Sequence, residues 1–392
     1  MNYKNIIVWI VTVFLSIIYI FFGHNIASKN LTVMDSQQSY SAKAIVLSIE
    51  DEVQGQSYEG IAPIVADTTT LFTCRLLEGE HKGEEILAAQ IGDSSFSAAK
   101  QKIISVGDKI IVYNYPAEEY GTEWIFGNYV RFDTLMIFAA TFFVLLLLFG
   151  WGKGINTIIS LTFTCLAIFL VYIPSILSGQ NIYISTLIAC GFITIMTILI
   201  TNGWSKKTLA TILGCLFGVC VAACLSLIMD RVLHLTGVID ENSIYLTALP
   251  SPVNLNAIIF GSIVVGSLGA VMDVAMDIAS SLYEICQHSD RLSFARLVKS
   301  GLTIGRDIMG TMSNTLVLAY IGSSLSVVLL LITYADSISS LINREMIIVE
   351  FIQALIGSTA ILLTIPLTAI ICGMIYIGKQ KKPRSVRKQR IY

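Results

Sequence analysis

Two neighbouring apolar stretches carry side chains with chemistry to do. Residues 269–281 read Gly-Ala-Val-Met-Asp-Val-Ala-Met-Asp-Ile-Ala-Ser-Ser, so Asp273 and Asp277 interrupt a run apolar enough to cross a membrane. Residues 305–315 read Gly-Arg-Asp-Ile-Met-Gly-Thr-Met-Ser-Asn-Thr, with Arg306 and Asp307 opening the next apolar run. At helical spacing Ser262, Gly266, Gly269, Ala270, Asp273, Asp277, Ser280 and Glu284 share one face. Asp307, Thr311 and Asn314 share a face of the second helix. A charge in hydrocarbon costs roughly 3 kcal/mol or more, so such groups face a protein interior or a water-filled cavity. Asp273, Asp277 and Asp307 against Arg306 leave an excess of two negative charges. In a low dielectric that excess binds a cation or takes up protons, which is the chemistry of an ion-coupled carrier. The competing structural reading pairs Arg306 with one Asp and leaves the others lining an entrance.

Other chemistries fit less well. Two carboxylates sharing a proton could hydrolyse a bond, but no Tyr-Asp on one span is matched by Gly-x-Gly-Asp on the next. An intramembrane aspartyl-type hydrolase is therefore a minor alternative, and no catalytic residue is assigned. The chain holds no Gly-x-x-x-x-Gly-Lys-Ser/Thr loop, which excludes nucleotide-driven transport by that device. No cofactor is called for. Cys215, Cys220 and Cys224 lie close along one helix and could hold a soft metal, although small residues also serve helix packing.

The elements that must position these residues follow from composition. Of 392 residues, 55% are hydrophobic and 13% charged, with a mean hydropathy of +0.74. That balance belongs to membrane proteins rather than soluble domains. An apolar run at 6–22 behind Lys4 resembles a signal peptide but lacks a good cleavage site, so an uncleaved anchor is expected. Further runs at 134–149, 155–177, 182–201, 208–229, 255–280, 308–333 and 347–377 are each near the ~20 residues a bilayer requires. Glu350 and Gln353 suggest that the last run starts along the interface, and Pro366 should kink the remainder. A basic amphipathic stretch at 290–300 should lie on the inner surface.

Between residues 29 and 133 lies the one long polar segment. Alternating patterns at 40–50, 71–77, 84–90, 109–115 and 123–131 predict five short strands, hence a small barrel or sandwich, with an OB-like barrel as one option. Sixteen Asp/Glu face seven Lys/Arg between Asn30 and Asp133, which makes a nucleic-acid partner improbable. Lys4, Lys153, Lys206, Lys207, Arg296, Lys299 and the basic tail then fall on one side of the membrane. The positive-inside rule makes that side cytoplasmic and the β domain extracytoplasmic. The tail needs no partner beyond anionic lipid headgroups.

The expected fold class is a polytopic α-helical membrane protein of about eight spans with an all-β domain inserted after the first. Its parts are an anchor at 1–28, the β domain at 29–133, a membrane domain at 134–378 and a basic cytoplasmic tail at 379–392. Weaker polar stripes recur elsewhere: Asn156, Ser160 and Thr164; Gly214, Gly218 and Ala222; Thr364 and Thr368. Their ordinary role is helix packing.

The two carboxylate motifs, the second continuing Leu-Val-Leu-Ala-Tyr to Tyr320, resemble the hallmark of the YibE/F family of multispanning bacterial membrane proteins. Residues 203–207 (Gly-Trp-Ser-Lys-Lys), 213–218 (Leu-Gly-Cys-Leu-Phe-Gly) and 365–368 (Ile-Pro-Leu-Thr) add to the resemblance, which covers about 150–378. The anchor and β domain make the chain similar to the longer, YibE-like members. The resemblance implies location in the bacterial cytoplasmic membrane and leaves the substrate and any metal unassigned. The residues themselves suggest a cation- or proton-coupled transporter using Asp273, Asp277, Asp307, Asn314, Arg306 and Glu284, working alone, as a homo-oligomer or with a second YibE/F-family subunit. A non-catalytic envelope scaffold is the alternative.

Overall fold

The structure, a computed structural model, describes residues 3–29, 40–54, 68–79, 81–91, 102–117, 122–239, 241–247, 253–289, 292–334 and 337–377. The chain divides into two compact units, Val33–Leu146 and Met1–Thr32 with Leu147–Tyr392.

The first unit contains β1 (Ser41–Gln54), β2 (Thr68–Leu76), β3 (Glu85–Ile91), β4 (Lys109–Ala117) and β5 (Thr122–Tyr129). They close into a barrel in the order β1-β2-β3-β5-β4, with β4 returning to β1. Alternation does the folding, because every second side chain points inward. Ala42, Ala44 and Val46 of β1, Phe72, Cys74 and Leu76 of β2, and Ile110 and Val112 of β4 form the buried core with Trp124 of β5. All pairings are antiparallel except β3 with β5, whose bridge joins Ala89 to Ile125 in parallel. Gly107, at φ 91°, makes the turn into β4, and Asp108 accepts the Ser105 N–H at 2.9 Å there. The strands fall where alternation places them. Their closure joins β3 to β5 across the intervening β4.

The second unit is helical: α1 (Tyr3–Ala27), the later part of α2 (Phe132–Leu166), α3 (Ile173–Leu177), α4 (Ile182–Asn202), α5 (Lys206–Leu233), α6 (Glu241–Thr247), α7 (Leu255–His288), α8 (Phe294–Ser323), α9 (Leu325–Tyr334), α10 (Ile338–Ile342) and α11 (Glu345–Ile377). A π-helical turn at Ala167–Tyr172 joins α2 to α3. Among the described residues, six helices are long and apolar enough to cross a membrane, or seven if α8 and α9, bent by 61°, count as one. The difference from eight lies at Phe132–Leu177, 46 residues that pass as one span. At 1.5 Å per residue they reach ~69 Å, more than twice a ~30 Å hydrocarbon layer. Within them Trp151 takes φ 48° and ψ −131°, which breaks the helix between Gly150 and Gly152. Residues 294–300 of the expected basic stretch form the first turns of α8, with Asp290 and Arg291 outside the described residues, and α11 runs through Pro366 as one helix.

Small residues set the packing. In α5, Gly214 and Gly218 lie against the Thr368 and Thr364 hydroxyls of α11, with no room for a Cβ. Gly301 and Gly305 of α8 meet Ala369 and Ile365 in the same way. The glycine stripe of α5 and the threonine stripe of α11 are thus two sides of one interface. Asn156 of α2 has another role: its side-chain oxygen accepts the Trp9 indole N–H of α1 at 3.1 Å. At the other end of α1, the Gln180 amide donates to the Ile26 carbonyl at 3.2 Å, and Tyr19 stacks on Phe192 at 3.9 Å. These bonds make α1 a packed member of the unit.

Candidate functional site

The face of α7 that holds the carboxylates is set by its other face. Val264, Leu268, Val271, Val274, Ala275, Ile278, Ala279 and Leu282 are buried in the helical core. The intervening positions therefore point away from it, and Ser262, Gly266, Gly269, Asp273, Asp277 and Glu284 are exposed. On α8, Arg306, Asp307, Thr311 and Asn314 are exposed too.

Contacts between α7 and α8 fix how the two rows align. The Tyr320 hydroxyl stands 2.6 Å from where a Gly266 Cβ would be, and a Leu282 methyl lies 3.0 Å from that of Gly301. Counting inward along antiparallel helices at ~1.5 Å per residue, Asp277 lies level with Asp307, Asp273 with Thr311, and Ala270 with Asn314. Gly269 and Gly310 each have nothing within 4 Å of a Cβ position, so both rows border open space. Asp273 stands within electrostatic range of Asp277 and of Cys215 on α5.

The ion pair of the competing structural reading does not form. Among the described residues the ion pairs are Lys43–Glu78, Arg75–Glu85, His81–Glu84 and Lys109–Asp133, all in the barrel unit. Arg306 reaches none of Asp273, Asp277 or Asp307. All four side chains instead remain exposed along helices of membrane-grade hydropathy. Glu284, also exposed, lies near the α7 terminus, almost two turns beyond Asp277.

The structure brings in residues that spacing did not single out. Met276, on the flank between the two aspartates, receives the Asn202 amide at 3.5 Å and the Thr211 hydroxyl at 4.0 Å on its sulfur. At the other end of the stripe, the Gln353 amide of α11 donates to the Ser262 hydroxyl at 2.9 Å. Tyr320 lies over Gly266. These contacts join residues distant in sequence, so periodicity within one helix carries no signal for them. Among the described residues no group of three or more His, Cys, Asp or Glu could hold a metal ion. Cys215 is buried, whereas Cys220 and Cys224 are exposed, so the three do not share one environment.

Neither a curated protein nor a solved structure matches the chain. The sequence model of one family, described as YibE/F-like protein, matches residues 138–378, well over half of its length.

Proposed function

The chain belongs to the YibE/F-like family, and from that premise we propose that it is a cation- or proton-coupled membrane transporter. The observation that carries the reading is the unpaired row of Asp273 and Asp277 on α7, level with Asp307 and Asn314 on α8. Carboxylates on a membrane-grade helix do not face lipid, because each would cost roughly 3 kcal/mol or more. The row therefore borders water or protein. A second YibE/F-family subunit, or a second copy of this chain, covers it and completes an ion path. In that path Asp273, Asp277 and Asp307 hold the cation or proton, Asn314 supplies a neutral ligand, and Arg306 and Glu284 tune the cytoplasmic mouth. These are binding roles and not catalytic ones.

The same reading sets the membrane topology. Helix α2 crosses twice, turning at Trp151, which gives about eight spans with both termini cytoplasmic and the barrel, OB-like in strand order, extracytoplasmic. Support comes from the neighbours of the break: Asn5, Trp9 and Asn156 surround Gly150–Lys153 together with Thr201–Gly203 at the end of α4. The positively charged ends of these helices then share one side. The anchor α1 is retained, and the membrane is the bacterial cytoplasmic one.

The decisive test is ion flux. The full chain in proteoliposomes, alone and with its family partner, should move protons or a monovalent or divalent cation down an imposed gradient, and Asp273→Asn should abolish the movement. Absence of flux in both preparations overturns the reading. One observation favours a second reading, an envelope scaffold: the barrel has its own closed core. A scaffold would retain its partners in Asp273→Asn, and loss of flux would have no counterpart.

A further inference from the structure

The end of the barrel from which α2 departs has a surface of its own. Strand β4 begins there at Lys109 and β5 ends there at Tyr129, since the two run antiparallel with Ile110 opposite Tyr129. The segment 102–108, which leads into β4, is pinned over this end. The buried Gln90 side chain of β3 donates to the Lys102 carbonyl and accepts the Ile104 N–H, both at 3.1 Å. The Tyr129 hydroxyl donates to the same Lys102 carbonyl at 2.8 Å. This anchoring buries Ile104 and leaves Ile103 and Val106 turned outward, 55% and 64% exposed. Two cations flank the Tyr129 ring, the Lys102 Nζ at 5.0 Å from its centre and the Arg131 guanidinium at 5.9 Å. Lys109 stands nearby, paired with Asp133. Next to Arg131, the exposed Phe132 opens α2, whose apolar length is that of a membrane span.

Single exposed apolar side chains are ordinary, but here three hydrogen bonds hold a loop so that it presents two of them beside a tyrosine and cations. That combination suits a bilayer interface: apolar groups enter it, Tyr rings sit at headgroup depth, and Lys and Arg reach the phosphates. Chain continuity favours this occupant over a protein partner. With α2 entering the membrane at Phe132, Tyr129 and Arg131 stand where the headgroups are. Charge points the same way. The segment from Asn30 to Asp133 has sixteen acids against seven bases, so an anionic surface repels it as a whole, yet Lys102, Lys109 and Arg131 are three of those seven. They outnumber Asp108 and Asp133 at this end. We infer that this end of the barrel docks on the membrane surface, with Ile103 and Val106 set into the interface and Lys102 and Arg131 on the phosphates of anionic lipid headgroups. The inference rests on α2 entering the membrane at Phe132, and not on ion movement along α7.

The test places a nitrobenzoxadiazole fluorophore on the full chain at Ser105→Cys, between the two apolar side chains, or at Lys82→Cys in the β2–β3 turn at the opposite end of the barrel. Both are made in a background lacking the native cysteines. The chain is held in nanodiscs whose lipids carry a spin label on the headgroup, with phosphatidylcholine alone or with phosphatidylglycerol added. In the anionic discs the Ser105 probe should be quenched about three times as strongly as the Lys82 probe. Lys102→Gln with Arg131→Gln should bring it down to the value in phosphatidylcholine. Ile103→Ser with Val106→Ser should lower it in both kinds of disc. All four side chains are exposed, so these variants keep the barrel core, and either pair decides if the other fails to fold. Asp273→Asn should leave the quenching unchanged, even where it has lost ion flux. Equal quenching of the two probes overturns the inference, because the barrel is then only tethered. So does quenching at Ser105 that ignores lipid charge and both pairs of substitutions.

Discussion

At the scale of single residues, the absence of an ion pair changes what substitutions should do. Breaking a buried pair costs about 3–5 kcal/mol because a charge is left uncompensated. Arg306 is not paired with Asp273 or Asp307, so Asp273→Asn and Asp307→Asn leave nothing stranded. Both variants should express normally and resist heat in detergent at least as well as the parent while losing flux in proteoliposomes. Adding Arg306→Gln to Asp273→Asn should not restore it. A second residue prediction concerns Cys74, fully buried in the barrel, where burial pushes the thiol up to about 12. A membrane-impermeant maleimide should label it slowly in the folded chain and fully in denaturant. A solvated thiol ordinarily titrates near 9.0, so between that pH and about 12 the unfolded state sheds a proton that the folded state keeps. The stability present below about pH 9 is thus lost as pH rises. Tyr129, raised by partial burial and Asp108 with Arg131 opposing, adds to the same slope. Thermal melts of the barrel should therefore fall less steeply from pH 9 to 11 in Cys74→Ala than in the parent.

At the scale of elements, close packing of α5 on α11 makes its glycines sensitive. A Cβ on Gly218 would press on the Thr364 hydroxyl and stand 2.5 Å from a Val271 methyl. Gly218→Val should lower stability by about 1–3 kcal/mol through overpacking, read as a lower melting temperature in detergent. The proposed double crossing of α2 is tested by single cysteines in a background lacking the native ones. Lys82→Cys in the exposed β2–β3 turn should react with an impermeant reagent on intact cells, whereas Lys153→Cys and Lys299→Cys should not. Reaction at Lys153→Cys would make α2 a single crossing. The helices themselves were legible in the sequence because apolar runs and the 3.6-residue period act locally. The Gly214–Gly218–Ala222 and Thr364–Thr368 stripes were legible as packing stripes, but their mutual contact was not, since nothing within either helix names its partner. The bend at Ser324 has a local signal that the apolar run masks: Gly322, Ser323 and Ser324 stand together there, and Gly/Ser pairs are a usual place for a sharp kink.

At the scale of the molecule, two units with separate cores imply separable folding. A fragment covering about 29–133 should give a β-rich circular dichroism spectrum and a cooperative melt, because its apolar residues are satisfied within the barrel. A random-coil spectrum would show that the strands need the rest of the chain. The five strands could be placed from alternation, yet the ring they form could not, since the β3–β5 neighbour relation is a choice among long-range pairings. That relation has a consequence for how the ring opens. Every other junction is an antiparallel ladder of several residue pairs, whereas β3 and β5 meet in one bridge, Ala89 to Ile125, reinforced by the Thr122 hydroxyl donating to the Leu87 carbonyl at 2.5 Å. A hoop parts first where its backbone fastening is thinnest. Amide protons along this seam should exchange with deuterium ahead of those in the β1–β2 ladder, and Thr122→Val, which removes the second fastening, should widen that gap while leaving the far side of the ring as slow as before.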